Sequence, residues 1–282
     1  MSIKIKAKII VNKRLLESAA YLYCGENGMS RTSIQRPTAE EMNAMISHGV
    51  VSHDLKIMDE PFGYACYEHN RQVYDPDFFD TLLLKEAKNR KSILDLCCGG
   101  GATIVSLLQN GPDIIYGFDS NENQIELIEA LVEEMNDVNC KIVAKVADAH
   151  HIPLERHSVD FVVCRVALQY LDTEQVLKEM YRVLYPNGKV FLLVHGSGYI
   201  FDYLFSRRGI FKTKLIRYAV QKLFYSSSSD HNFSRSQAHF LFTKEVKKKL
   251  KDAGFKDINV HTSKKWLKFG ILPVYFAVTA NI

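Results

Sequence analysis

An open α/β sheet of about seven strands, mostly parallel with an antiparallel edge strand and with helices on both faces, is the fold class that this sequence predicts. Three observations carry it. From residue 92 onward, short apolar runs alternate with helical stretches, the pattern of βα units. An acidic residue, Asp95, Asp119 or Asp148, stands at the end of each of the first three runs. Two late strands are joined by a short connection, which favours an antiparallel pair at one sheet edge.

The elements follow in order. The first 60 residues read as mostly helical, and Asp75-Pro76 is an N-cap and first-turn signature for a helix at 76–88. SILDL at 92–96 is the first strand, followed by glycines 99–101 and the helix-like ATIVSLLQN, which Gly111-Pro112 ends. IIYGFD at 114–119 is the second strand; over 121–135, Ile125, Leu127, Ile128, Leu131 and Val132 share a helical face. KIVAKVAD at 141–148, VDFVVC at 159–164 and KVFLLVH at 189–195 are the next strands. A helix over about 173–184 precedes the turn Pro186-Asn187-Gly188. Residues 199–229 then carry eight aromatics and six Lys/Arg against one Asp, without an obvious strand. Thr243 caps a helix, EVKKKLKDA, that stops at Gly254, and KDINVH at 256–261 and VYFAVTA at 274–280 are the late strands.

Composition narrows the class. With 282 residues, 47% hydrophobic, 24% charged, 15 Gly, 7 Pro and 6 Cys, the chain is neither disordered, collagen-like nor disulfide-dense. A formal charge of +4 without a dense basic stripe does not announce a nucleic-acid binder. The longest apolar runs, VFLLV and GILPVYFAV, fall well short of the ~18 residues that span a bilayer. The opening segment is interrupted by charged residues and lacks a secretory stretch. None of Cys24, Cys66, Cys97, Cys98, Cys140 and Cys164 forms a C-x-x-C pair, so reduced thiols in a cytoplasmic protein, with no metal site, are expected.

The sharpest chemical signal is ILDLCCGGG at 93–101, where small residues line the turn from strand to helix. Glycine lets a backbone approach a ligand closely and adopt positive φ; a purely structural βα turn is the alternative reading. Asp119 closes the next strand, where a carboxylate can accept from both ribose hydroxyls, and Asp148 stands where one can accept from an adenine amine. One Asp at a strand end is usually a cap. Three in register are harder to dismiss.

Taken together, these residues resemble the class I S-adenosylmethionine (SAM)-dependent methyltransferases, in particular the small-molecule group of the type 11 kind. The first family motif, D-x-G-x-G-x-G, is met by Asp95, Cys97, Gly99 and Gly101; the second-strand acid is Asp119. The third is met by Asp148-Ala149 with Ile152-Pro153, the fourth by Asp160, and the later helix and turn by YRVLYPNGKVFLLV at 181–194. The resemblance covers residues 74–195 well and 241–281 by pattern. It implies a Rossmann-like fold divided as follows: a mostly helical segment 1–73 forming part of a lid, a SAM-binding core 74–195, an aromatic and basic lid insertion 196–240, and a C-terminal part of the core sheet, 241–282.

The resemblance also implies roles. Asp95 orients the methionine amine, Gly99 and Gly101 bring backbone close, Asp119 with Ser120 holds the ribose, and Asp148 with Ala149 the adenine. Arg165 contacts the cofactor through its backbone, and Tyr74 lies where relatives often place an aromatic over it. Cys97 departs from the motif glycine, and a non-Gly residue there is expected at negative φ. Many relatives carry a His after strand four; Gln169 and Tyr170 stand there instead. The catalytic candidates are therefore His195, at the end of strand five, and Tyr170, with a packed His195 as the alternative. His150 and His151 are not expected to act in catalysis.

Methyl transfer needs SAM, no metal, and chiefly in-line alignment of the reactants. The acceptor pocket is expected from the insertion and the N-terminal segment. In TKLIRYAVQKLFY at 213–225, Leu215, Ile216, Ala219, Val220, Leu223 and Phe224 form one stripe that packs as a lid with its basic face in water. The same pattern suits an apolar or anionic small-molecule acceptor, or peripheral contact with an anionic membrane. No nucleic-acid partner is expected. Three alternatives stay open: an RNA or protein methyltransferase, a protein that binds SAM without turnover, and an NAD(P)-dependent oxidoreductase. The last needs glycine where Ile104 stands.

Overall fold

A computed structural model describes all residues except 136–138, 203–240 and 269. The apolar stripe at 213–225, and most of the 196–240 insertion, thus lie outside the described residues. The seven-stranded sheet has the order β3-β2-β1-β4-β5-β9-β6. Here β1 is Ser92–Leu96, β2 Ile114–Asp119, β3 Lys141–Val146, β4 Val159–Arg165, β5 Leu184–His195, β6 Lys256–His261 and β9 Tyr275–Asn281, while β7 (Leu267–Lys268) and β8 (Leu272–Pro273) form a separate two-stranded ribbon. No described helix is long and apolar enough to cross a membrane. The chain divides into two compact units, Met1–Asn89 with Cys98–Val146, and Arg90–Cys97 with Ala147–Ile282.

The first unit is largely helical: α1 (Ile3–Val11), α2 (Lys13–Glu26), α3 (Ala39–Ser47), α4 (Glu60–Tyr74) and α5 (Phe78–Glu86) precede α6 (Ala102–Leu107) and α7 (Glu122–Glu134). Side chains cap their starts: Ser2, Asn12, Asp59 and Asn121 accept from the first turns of α1, α2, α4 and α7, and Thr38 with Glu41 forms a capping box on α3. Their apolar stripes meet in one core that includes Ile9, Leu16, Met45, Phe62, Cys66 and Leu131. Strand β3 pairs with β2 in parallel, from Ile114↔Lys141 to Asp119↔Val146.

The start of α5 departs from the sequence reading. Its N-cap is Asp77, which accepts from Phe79 N–H at 2.8 Å and Asp80 N–H at 3.1 Å. Asp75 instead ends α4, its N–H bonded to Asn70 O at 3.2 Å. As the residue before a proline, Asp75 is pushed out of the helical region, and it lies at φ −136°. The chain therefore straightens and restarts two residues later. Between the two helices, Arg71 bonds the buried Asp80 at 2.6 Å and Glu68 at 2.8 Å.

The second unit carries the rest of the sheet. β1 and β5 flank β4 in parallel, and β9 runs antiparallel to both β5 and β6. β4 and the second half of β5 are almost wholly buried, as central strands covered on both faces should be. Asp160 anchors the entry to β1: its carboxylate accepts from Lys91 N–H at 2.8 Å and Ser92 N–H at 3.2 Å. α8 (Thr173–Val183) places Arg182 on Ile152 O and Leu154 O, at 2.8 and 2.7 Å, stapling the preceding loop. The late helix Thr243–Asp252 has Phe242, not Thr243, at its N-cap, so the Thr243 hydroxyl caps nothing. Gly254 ends it at φ +103°, as the sequence indicates.

Arg71 and Asp80 make the most stringent local test in the first unit. Arg71→Met should destabilise the protein by about 3 kcal/mol, because it leaves the Asp80 carboxylate buried without its cation. Urea unfolding of the variant against the parent measures it.

Candidate functional site

In the first unit the glycine turn is bonded on two sides. Gly99 N–H donates to Asp119 Oδ2 at 2.9 Å, and Cys98 N–H to Phe118 O at 3.1 Å, tying the turn to the end of β2. The other Asp119 oxygen accepts from Asn121 N–H at 2.9 Å. The carboxylate is thereby held in place, yet each oxygen keeps a lone pair for a further donor. From α4, the ring Nε2 of His69 lies 2.7 Å from Gly100 O. A carbonyl can only accept, so His69 Nε2–H donates.

Two glycines need their freedom here. Gly99 has φ +51°, and a Cβ built on it would meet nothing within 4 Å, so the turn is open on that side. Gly101 has φ +82°, and its Cβ would fall 2.9 Å from Ile128 Cγ1. Ser120 is exposed beside Asp119. Tyr74 is 44% exposed, with Lys13 Nζ 4.9 Å from its ring centroid. At 100° per residue, it points almost opposite to His69 and Gln72, which make the α4 contacts with the turn and α6. The aromatic expected over the cofactor is therefore not on the turn's side of α4.

In the second unit, Asp95 is buried in β1 at 1% exposure. Cys97 follows at φ +61°. This corrects the expectation of negative φ: the turn keeps the left-handed backbone of the motif glycine and forces cysteine into it, which costs roughly 1–2 kcal/mol. Asp148 is exposed and Ala149 buried. Asp148 Oδ1 accepts from His150 N–H at 3.0 Å and lies 2.6 Å from His150 Nδ1, while His150 Nε2 accepts Asp172 N–H at 3.1 Å. His150 is thus a bracket for the loop, with its proton on Nδ1. Partial burial opposes ionisation of Asp148, but the His150 backbone and ring bonds outweigh it and hold the carboxyl below its usual range.

Past β4 the backbone is again strained. Arg165 is half-buried, and the next residue, Val166, lies at φ +54°, an outlier for a β-branched side chain. Val166 O accepts from Gln169 Nε2 at 2.8 Å, and that same nitrogen lies 3.2 Å from His195 Nδ1. The carbonyl fixes which end of the amide is NH2. His195 Nδ1 therefore accepts, and its ring proton sits on Nε2. The ring is 6% exposed, stacked 3.9 Å from Tyr199 and edge-on to Tyr275 at 5.1 Å. A general base at His195 does not fit this arrangement, because the nitrogen with the lone pair is already engaged. Tyr170 ends the short turn Leu168–Tyr170, half-buried, and among the described residues its hydroxyl makes no hydrogen bond.

Sequence reasoning missed His69, Gln72 and Gln169. The first two sit at i and i+3 on the stripe of α4 that also carries Phe62 and Cys66, and all four are buried. Polar residues on an apolar stripe were the available signal. Burial pushes His69 down to about 4, the bond to Gly100 only partly opposing it.

Two outcomes are expected. Cys97→Gly should raise stability by about 1 kcal/mol, read from urea midpoints, because glycine relieves the left-handed strain while losing some backbone entropy. For His69, the unfolded chain takes up a proton near pH 6.5 and the folded one only near 4. Stability should therefore fall as pH drops through that window, by about 3 kcal/mol between pH 7 and 4 from this group. His69→Gln should lose that part of the slope in unfolding curves taken across the range.

Comparison with known proteins agrees with this geometry. Residues 94–192 match the family described as methyltransferase domain. A demethylmenaquinone methyltransferase of Geobacillus sp. (strain WCH70) is 30% identical over 200 residues, covering 70% of this chain and 82% of the relative. A SAM-dependent methyltransferase structure from Methanosarcina mazei aligns with TM-score 0.52 at 20% identity, over 71% of this chain and 96% of that one. A Haemonchus contortus phosphoethanolamine N-methyltransferase, solved with phosphomonomethylethanolamine and S-adenosylhomocysteine, aligns with TM-score 0.54 at 16% identity, over 76% and 56% respectively. At those identities the structures speak for the fold, and the Geobacillus relative for the family: the chain belongs to the class I SAM-dependent methyltransferases.

Proposed function

We propose that the chain methylates a small, largely apolar acceptor carrying an aromatic or quinol-like ring. The observation that carries this is the 30% identity, over 82% of its length, to a relative named for demethylmenaquinone. A second supports it. Around His195, the rings of Tyr199, Tyr275 and Trp266 form a continuous aromatic group, with Trp266 5.0 Å from Tyr275 and edge-on to it. Such rings suit a planar apolar substrate better than a phosphorylated or peptidic one.

The turn fits the cofactor. Gly99 leaves its side open, and Asp119 is fixed with acceptor capacity to spare. In this reading Gly99, Gly101, Asp119 and Ser120 of the first unit hold the methionine and ribose. Asp95, Cys97, Asp148, Ala149 and the Arg165 backbone of the second unit hold the amine and adenine. SAM, when bound, supplies a methyl group on a sulfonium that is already a good leaving group. The chain aligns the acceptor in line with it; orientation alone lowers such barriers by roughly 7–11 kcal/mol. In this reading His195 lines the acceptor site beside Gln169. Gln169 Oε1 is buried and, among the described residues, bonds nothing. A hydroxyl on the acceptor would satisfy it. The basic, aromatic residues of 199–229 suit delivery of an apolar acceptor from a membrane surface.

Incubation with methyl-labelled SAM and separate pools of prenylated quinols, small amines, RNA and protein tests this. Label should enter the quinol pool at least about tenfold faster than the others, a difference of about 1.4 kcal/mol in barrier. Transfer only into RNA or protein would overturn the acceptor class.

A further inference from the structure

We propose that His69 is a positioning residue for the cofactor: from α4 it holds the Gly100 carbonyl and so fixes the peptide of the turn against which the cofactor lies. This rests on the reading of residues 98–101 as the cofactor turn, and all of its geometry lies within the first unit.

Gly99 and Gly101 both sit at positive φ, and glycine peptides there reorient easily. A ligand that binds such a turn must order it, which weakens binding unless the order exists beforehand. Asp119 restrains the Gly99 N–H side, at 2.9 Å. The Gly100 carbonyl side is restrained by His69 alone among the described hydrogen bonds, at 2.7 Å. That ring is itself immobile, being 1% exposed. One turn further along α4, Gln72 Oε1 accepts from Thr103 Oγ1 at 2.9 Å, and Gln72 O from Ser106 Oγ at 3.4 Å. Helix α4 is thus bonded both to the turn and to α6, which continues it.

Packing alone does not account for the histidine. Phenylalanine would fill the same space without burying two ring nitrogens, and burial already disfavours charge on the imidazole strongly. What histidine adds is one donor, aimed at one carbonyl.

Titration of S-adenosylhomocysteine into the purified full chain tests this with two variants. His69→Phe keeps the ring and loses the donor; it should weaken binding about tenfold, as expected for a turn carbonyl left unsatisfied. His69→Gln keeps an N–H donor and should stay within about threefold of the parent. The melting temperature of the ligand-free His69→Phe protein should not fall in proportion. In the unmodified protein, 15N spectra of the histidine ring should show the Nε2–H form from pH 8 down to 5. Unchanged affinity in His69→Phe, equal weakening in both variants with matching loss of thermal stability, or an Nδ1–H ring would each overturn the proposal. Asp119→Ala separates this from the cofactor assignment. If it abolishes binding while His69→Phe binds normally, only the role of His69 falls; if neither weakens binding, the assignment of the turn falls as well.

Discussion

A turn built on glycines at positive φ has no preferred shape of its own, so residues 98–101 take theirs from bonds supplied by other elements. Asp119 accepts Gly99 N–H, and the strand that carries it accepts Cys98 N–H through Phe118 O. His69 takes the carbonyl on the other side. The arrangement explains why α4 tolerates a buried imidazole and a buried glutamine on its apolar stripe. It also holds Asp119, whose two oxygens each accept from a backbone N–H. Under the proposed function Asp119 meets two ribose hydroxyls, and a carboxylate held beforehand does part of that ordering in folding and not in binding.

The second unit has its own constraint, stored as strain. β1 and β4 pair in parallel from Ile93↔Phe161 to Leu96↔Cys164, and immediately beyond each carboxyl end a side-chain-bearing residue is forced to positive φ: Cys97 at +61° and Val166 at +54°. Neither position suits an L-residue, and valine suits it least. In open α/β sheets, ligands bind beyond the carboxyl ends of the strands, and strained backbone gathers at functional sites. Both observations meet at this edge. The strain at Val166 is held by two bonds, its N–H to Leu193 O at 2.7 Å and its carbonyl from Gln169.

Most of the architecture is legible in the chain because its signals are local. Apolar runs such as IIYGFD, turn residues at Gly111-Pro112 and Gly254, and Asp119 closing β2 each depend on a few neighbours, whereas Asp95 lies inside β1 and Asp148 two residues beyond β3. The late antiparallel pair was legible for the same reason: a short connection permits little else. What escaped was decided at a distance or by backbone geometry. Asp75 looked like a cap, but the proline after it moved the helix start to Asp77. Cys97 was expected at negative φ from its own side chain, whereas the turn imposed the opposite sign. Tyr74 was placed by resemblance to relatives that set an aromatic over the cofactor, and at the end of α4 it lies on the face away from His69 and Gln72. His69 lies 31 residues before its partner, and no local pattern announces that pairing.

Strands β4 and β5 bring His195 next to Gln169, and the consequence for chemistry is in the direction of one hydrogen bond. Had the neighbour been a carboxylate, the imidazole would have carried its proton toward it and left Nε2 as a base. An amide whose NH2 end is committed to Val166 O reverses this, leaving the ring as acceptor at Nδ1 and donor at Nε2. While that bond holds, Nδ1 takes up no proton. Sulfonium methyl transfer tolerates the loss, because the leaving group needs no protonation and alignment supplies a larger share of the rate than a base does. Under the proposed function, the bonded glycine turn, the doubly held Asp119 and the engaged His195 then favour catalysis by positioning over catalysis by proton removal.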